Sequence, residues 1–145
     1  MSMRKTMQSR SRMGVLLVLL AALTGGPHAT ASAAMDGSAP LVCSVTSMLE
    51  CDGSGQCERQ NPARHPDYPS VLRINVPGRV ITGAAADSRK TEIKSVSRLD
   101  GHLVLNGSEN GRGWAASIAE DSGRMAAGIV ADDFTLSLFG ICTTP

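Results

Sequence analysis

The stretch ECDGSGQCER, residues 50–59, is the densest cluster of reactive side chains in the chain. Its ten positions hold two cysteines, three acids, a serine and two glycines. A zinc site would want closely spaced ligand pairs, with about two to four residues between the cysteines of a pair. Here five residues separate Cys51 from Cys57, and Cys43 and Cys142 are isolated. A redox pair would show Cys-x-x-Cys, which does not occur. A calcium loop wants alternating oxygen ligands and a distant bidentate glutamate; Asp52 and Ser54 fit, but Gly55 and Gln56 follow. The remaining chemistry is a disulfide, Cys51 to Cys57, stapling a glycine-rich turn between two strand-like stretches. No metal and no cofactor is expected.

Candidate binding residues lie elsewhere. The segment ERQNPARHPDYP is an irregular, proline-rich loop carrying His65, Asp67 and Tyr68. Loops on rigid sheets commonly carry binding, so His65 and Tyr68 are candidate ligand-binding residues. Trp114, the only tryptophan, is the third, as a cavity wall or a core plug. No catalytic residue is assigned. Gly-x-Ser-x-Gly is absent, since Gly53-Ser54-Gly55 has the wrong spacing. Asp132-Asp133 reads as a solvated turn rather than a glycosidase pair.

The chain opens with Arg4, Lys5, Arg10 and Arg12 and no acid, then an eleven-residue apolar run, Met13–Leu23, then TGGPHATASAA. That order is a secretory signal peptide, cleaved near Ala33 or Ala34. The run is shorter than the ~20 residues a spanning helix needs. We therefore expect residues 1–34 to be the signal peptide and 35–145 a single β domain, secreted or periplasmic, without stable membrane insertion. The four leader cations leave with it, so ten Lys and Arg remain against thirteen Asp and Glu. The arginines are scattered, and no clustered basic face suggests nucleic acid as a partner. An even cysteine count in a secreted chain reads first as disulfides.

The rest of the chain alternates with a period of two, the mark of strands with one buried face. In LVCSVTSMLEC, Leu41, Cys43, Val45, Leu49 and Cys51 share a parity. Leu72, Ile74 and Val76 do so in VLRINV, as do Trp114, Ala116 and Ile118, then Met125, Ala127 and Ile129, then Phe134, Leu136, Leu138 and Cys142. Asp100-Gly101 is a strong hairpin signal and Asn110-Gly111 lies in the next loop. Pro77-Gly78 marks either a turn or a bulge. TEIKSVSRL spaces Ile93, Val96 and Leu99 by three and reads as a bulged strand, being too short to stand as a helix. About seven or eight short strands with turn chemistry between them predict an all-β fold. Sequential hairpins favour a small antiparallel up-and-down barrel, with a β-sandwich as the alternative. In such a barrel the first and last strands are antiparallel neighbours, which favours a second bridge, Cys43 to Cys142. Sequence alone leaves the other pairings open.

The segment DGHLVLNGSENGRGWAASIAEDSGRMAAGIVADDFTLSLFGICT resembles small secreted bacterial proteins of uncharacterised function, which end in Gly-x-Cys after a Trp-containing hairpin. Periplasmic β-barrels that inhibit lysozymes or proteases are similar in size and disulfide use, but their recognition motifs are absent. The leading expectation is a secreted or periplasmic non-enzymatic binding protein whose partner is an unknown protein or small ligand. The alternatives are a structural or envelope-associated protein without a discrete ligand, and a hydrolase with an unrecognised site.

Overall fold

The computed structural model describes residues 35–84 and 89–145. The leader expected over residues 1–34 lies outside the described residues. The described residues form ten strands and one 3-10 turn. β1 (Leu41–Asp52) is followed by β2 (Cys57–Gln60), the turn Pro62–Arg64, β3 (Val71–Asn75), β4 (Val80–Gly83) and β5 (Lys90–Glu92). Then come β6 (Ser95–Leu99), β7 (His102–Glu109), β8 (Arg112–Ala119), β9 (Arg124–Val130) and β10 (Phe134–Thr143).

All strands join one antiparallel sheet in the order β5-β4-β3-β1-β10-β9-β8-β7-β6, with β2 paired to the second half of β1. The sheet is a strongly curled half-barrel, and its end strands are neighbours in the chain. Ile93 and Lys94 join them. The Ile93 N–H donates to the Arg79 carbonyl (3.0 Å), and the Lys94 N–H donates to the Asn106 carbonyl (2.8 Å). β5 and β6 are thus one bent segment that changes partner from β4 to β7. The bend resets the side-chain parity, so Ile93 and Val96 both face inward although they lie three apart. This explains the helix-like spacing of TEIKSVSRL and leaves Leu99 65% exposed.

Local chemistry sets the corners. Asp100-Gly101 and Asn110-Gly111 each take positive φ at both residues, as a two-residue hairpin whose twist matches its strands requires. At Pro77-Gly78 the chain turns, and the Asn75 side-chain oxygen accepts from the Gly78 N–H (2.8 Å).

One expected parity is wrong. β1 bulges between Val45 and Ser47, which shifts its register against β10. Leu41, Cys43 and Val45 are buried as expected, but beyond the bulge Met48 is the buried residue rather than Leu49. An extra residue in one strand flips everything after it. Cys51 therefore pairs opposite Thr135 on the outer face, while Glu50 lies opposite buried Leu136.

Both disulfides join residues that face each other across a ladder. Cys43 bonds Cys142 between β1 and β10, and Cys51 bonds Cys57 between β1 and β2. Two such bridges suggest an oxidising, extracytoplasmic location. Among the described residues, no helix is long and apolar enough to cross a membrane. The core contains Leu41, Cys43, Ile74, Ile93, Leu103, Leu105, Ile118 and Leu136, all essentially inaccessible, and it closes the end of the curl where Leu41, Leu103 and Ile118 lie. Met35 and Gly37 cover that end. The Met35 N–H donates to the Glu120 carbonyl (3.2 Å), and Gly37 lies against Val76 and Leu103.

Candidate functional site

The other end of the curl is not filled. A cavity of about 140 Å³ opens there, lined mainly by Val45, Leu72, Ile74, Ile81, Ile129 and Leu138. Its origin is a rung of small residues. Ala116 on β8 faces Ala127 on β9, and both point inward where neighbouring rungs carry Ile118 and Met125. Two facing alanines cannot fill the space that the larger side chains fill one rung deeper.

Trp114 forms one wall. Its indole lies over Gly107 of β7, and its Nε1–H donates to the Thr91 hydroxyl on β5 (2.9 Å). Gly107 is required by this arrangement. A Cβ there would collide with the Glu92 carbonyl oxygen and stand 2.6 Å from Trp114 Cζ2. Trp114 therefore bridges the seam between the sheet's two ends while its ring lines the cavity.

Tyr68 and Arg112 stand at the mouth. Arg112 Nη1 donates to the Tyr68 hydroxyl (3.0 Å), and the guanidinium carbon lies 5.6 Å from the centre of the Phe134 ring. Such a contact attracts a cation to the ring face. Asp67 and Arg89 form an exposed ion pair on the rim (2.9 Å), the kind worth about 0–1 kcal/mol. Glu109 and Asn110 complete the mouth.

Of the three residues expected to bind, Tyr68 and Trp114 come together in the cavity lining and His65 does not. His65 lies behind Tyr68, with ring centroids 5.1 Å apart. Its Nδ1 accepts from the backbone N–H of Asp67 (3.2 Å) and Tyr68 (3.3 Å). That leaves Nε2 to carry the proton and face Glu50, 3.6 Å away. With its side chain only 8% exposed, His65 is a strut that holds the loop bearing Tyr68. The bulge in β1 puts Glu50 where His65 meets it.

The opening cysteine cluster is a capped turn. Asp52 Oδ1 accepts from the Ser54 N–H (2.9 Å), the Ser54 hydroxyl (2.7 Å) and the Gln56 N–H (3.0 Å). The Ser54 hydroxyl, with help from the backbone donors, holds the Asp52 carboxyl below its ordinary range.

No family model, no curated protein and no solved structure matches this chain. Function is therefore read from the cavity. Two of its features escaped the sequence reading. Arg112 shares the inward parity of Trp114, Ala116 and Ile118, so its place on the inner face was visible in the period of two. Ala116 and Ala127 were each placed inward, but only the β8–β9 register brings them opposite one another.

Proposed function

We propose that this protein is a secreted or periplasmic, non-enzymatic binding protein that holds a small, largely apolar ligand inside its curled sheet. One observation carries this reading: the apolar cavity beneath Tyr68 and Arg112, walled by Trp114 and open at one end. Apolar walls with a few polar groups at the entrance are the usual form of a small-molecule site. At about 140 Å³ the cavity is close to the ~150 Å³ space known to admit a benzene-sized guest. It therefore suits one ring or a short acyl chain rather than a long lipid. The two disulfides support an extracytoplasmic setting, and the basic-then-apolar leader supports export.

The test uses the protein with both disulfides formed and 1-hexanol as probe. Trp114 is the chain's only tryptophan, so its fluorescence reports on the cavity directly. We expect a saturable change with 1-hexanol. Ala127→Phe, which places a ring in the void, should abolish that change while leaving thermal stability unchanged or raised. A native protein that responds to neither 1-hexanol nor hexanoate, or an Ala127→Phe variant that responds as well as the native one, would overturn the reading.

A further inference from the structure

The mouth of the cavity holds more hydrogen-bond donors than it has acceptors for. Arg112 is half-buried, yet among the described residues it forms no ion pair. Its partners are the neutral Tyr68 hydroxyl and the face of Phe134. Tyr68 uses its oxygen to accept from Arg112, so its own hydrogen is free to donate, and it meets no acceptor among the described residues. Two donors therefore converge above an apolar chamber.

One acid placed to pair with Arg112 makes this more pointed. Glu109 faces Arg112 directly across the β7–β8 ladder, on the same inner face. Side chains so placed are normally within reach of each other. Arg112 nevertheless leans the other way, across β9 to Phe134 on β10. The remaining rim acid, Asp67, is taken by Arg89. The guanidinium is held by neutral groups and keeps its charge for something else. A planar fork of N–H donors matches a carboxylate or a phosphate, and one guanidinium balances the single charge of a carboxylate.

From this geometry we infer that the ligand is a small amphipathic monocarboxylate. Its apolar body fills the chamber against Trp114, Ala116 and Ala127, and its carboxylate accepts from the Arg112 guanidinium and the Tyr68 hydroxyl. This rests on the cavity being a binding site, and the experiment separates the two. Hexanoate and 1-hexanol share a chain length and differ in the head group. Their affinities are measured by Trp114 fluorescence at neutral pH and low salt. Hydrogen bonds to a charged group exceed neutral ones enough to give a preference of about tenfold or more.

Native protein should bind hexanoate at least about tenfold more tightly than 1-hexanol. Arg112→Met should bring the ratio to near one by weakening hexanoate alone, and Tyr68→Phe should lower it partly. Equal or weaker binding of hexanoate by the native protein would overturn the carboxylate assignment and leave the cavity reading standing. So would a ratio unaltered in Arg112→Met. If neither probe binds, the cavity reading fails and this inference with it. The native ratio needs no variant, so the test holds even where Arg112→Met does not fold.

Discussion

At the scale of single residues, His65 shows how a candidate for chemistry becomes a piece of architecture. A histidine beside Asp67 and Tyr68 in a proline-rich loop could act as a general base. The structure instead spends its Nδ1 on two backbone donors, and an acceptor so occupied is not free to take a proton from a substrate. His65→Ala should leave those donors without their partner and cost about 1 kcal/mol. His65→Asn should recover part of that, because an asparagine oxygen accepts from the backbone two residues on. Guanidinium unfolding of both variants checks this, and equal losses for the two would contradict it. The role was half legible. His-Pro-Asp-Tyr is turn chemistry, but nothing in the one-dimensional pattern says which ring nitrogen meets the backbone. Asp52 was weighed only as a calcium ligand, and its capping of the turn through Ser54 and Gln56 was not read, although a glycine-rich turn after an aspartate is the setting of an Asx-type cap.

At the scale of elements, the strands were legible because the alternation is clean, and the turns because Asp-Gly and Asn-Gly leave little choice. The misread half of β1 and the irregular strand expected over TEIKSVSRL share one cause. Both the bulge in β1 and the bend between β5 and β6 reset the period of two, and the residues around them disguise the reset. Met48 and Leu49 are both apolar, so either parity looked buried. Ile93 and Val96 imitate a helix because the parity changes between them. The disulfide pairing followed from topology, since an even number of up-and-down strands puts the first beside the last. Its energetics are testable. Cys43–Cys142 spans a sequence separation of 99, and Cys51–Cys57 one of 6. In the chain-entropy model the long bridge is worth about 4–5 kcal/mol and the short one about 2 kcal/mol. Replacing each pair by alanine should lower the stability in guanidinium by unequal amounts in that order. Equal losses would mean that native contacts, not loop closure, set the contribution of these bridges.

At the scale of the whole molecule, the filled end of the curl is tied by charge. Arg98 Nε and Nη2 each donate to the Glu120 carboxylate at 2.7 Å, and Asp36 stands 4.0 Å from the same guanidinium. The bond from Arg98 holds the Glu120 carboxyl below its ordinary value of 4.5. The Ser38 hydrogen bonds, with the Arg98 charge, hold Asp36 below 3.8. A carboxyl whose affinity for protons drops on folding stabilises the fold above its unfolded value and loses that contribution as pH falls through its folded value. Thermal stability should therefore vary little on these groups' account from pH 7 to about pH 5 and fall below about pH 4.5. Arg98→Met should flatten the upper part of that fall, where Glu120 titrates. A melting series against pH checks both, and an unchanged slope in the variant would remove Arg98 from the account. The strand pattern contained the architecture but not the void. An alanine pair facing inward is a space only once register places it, and register is a property of the assembled sheet.

Trp114 has two attachments that belong to different parts of the molecule. Its ring is a wall of the cavity, and its N–H reaches Thr91 on the far side of the seam that Ile93 and Lys94 close. Any fluctuation that parts β5 from β7 must pull Thr91 away from Trp114 and open the chamber as it does so. On the binding reading proposed above, occupancy of the chamber and closure of the seam would be one equilibrium seen from two sides, with a guest acting as a rivet across the join.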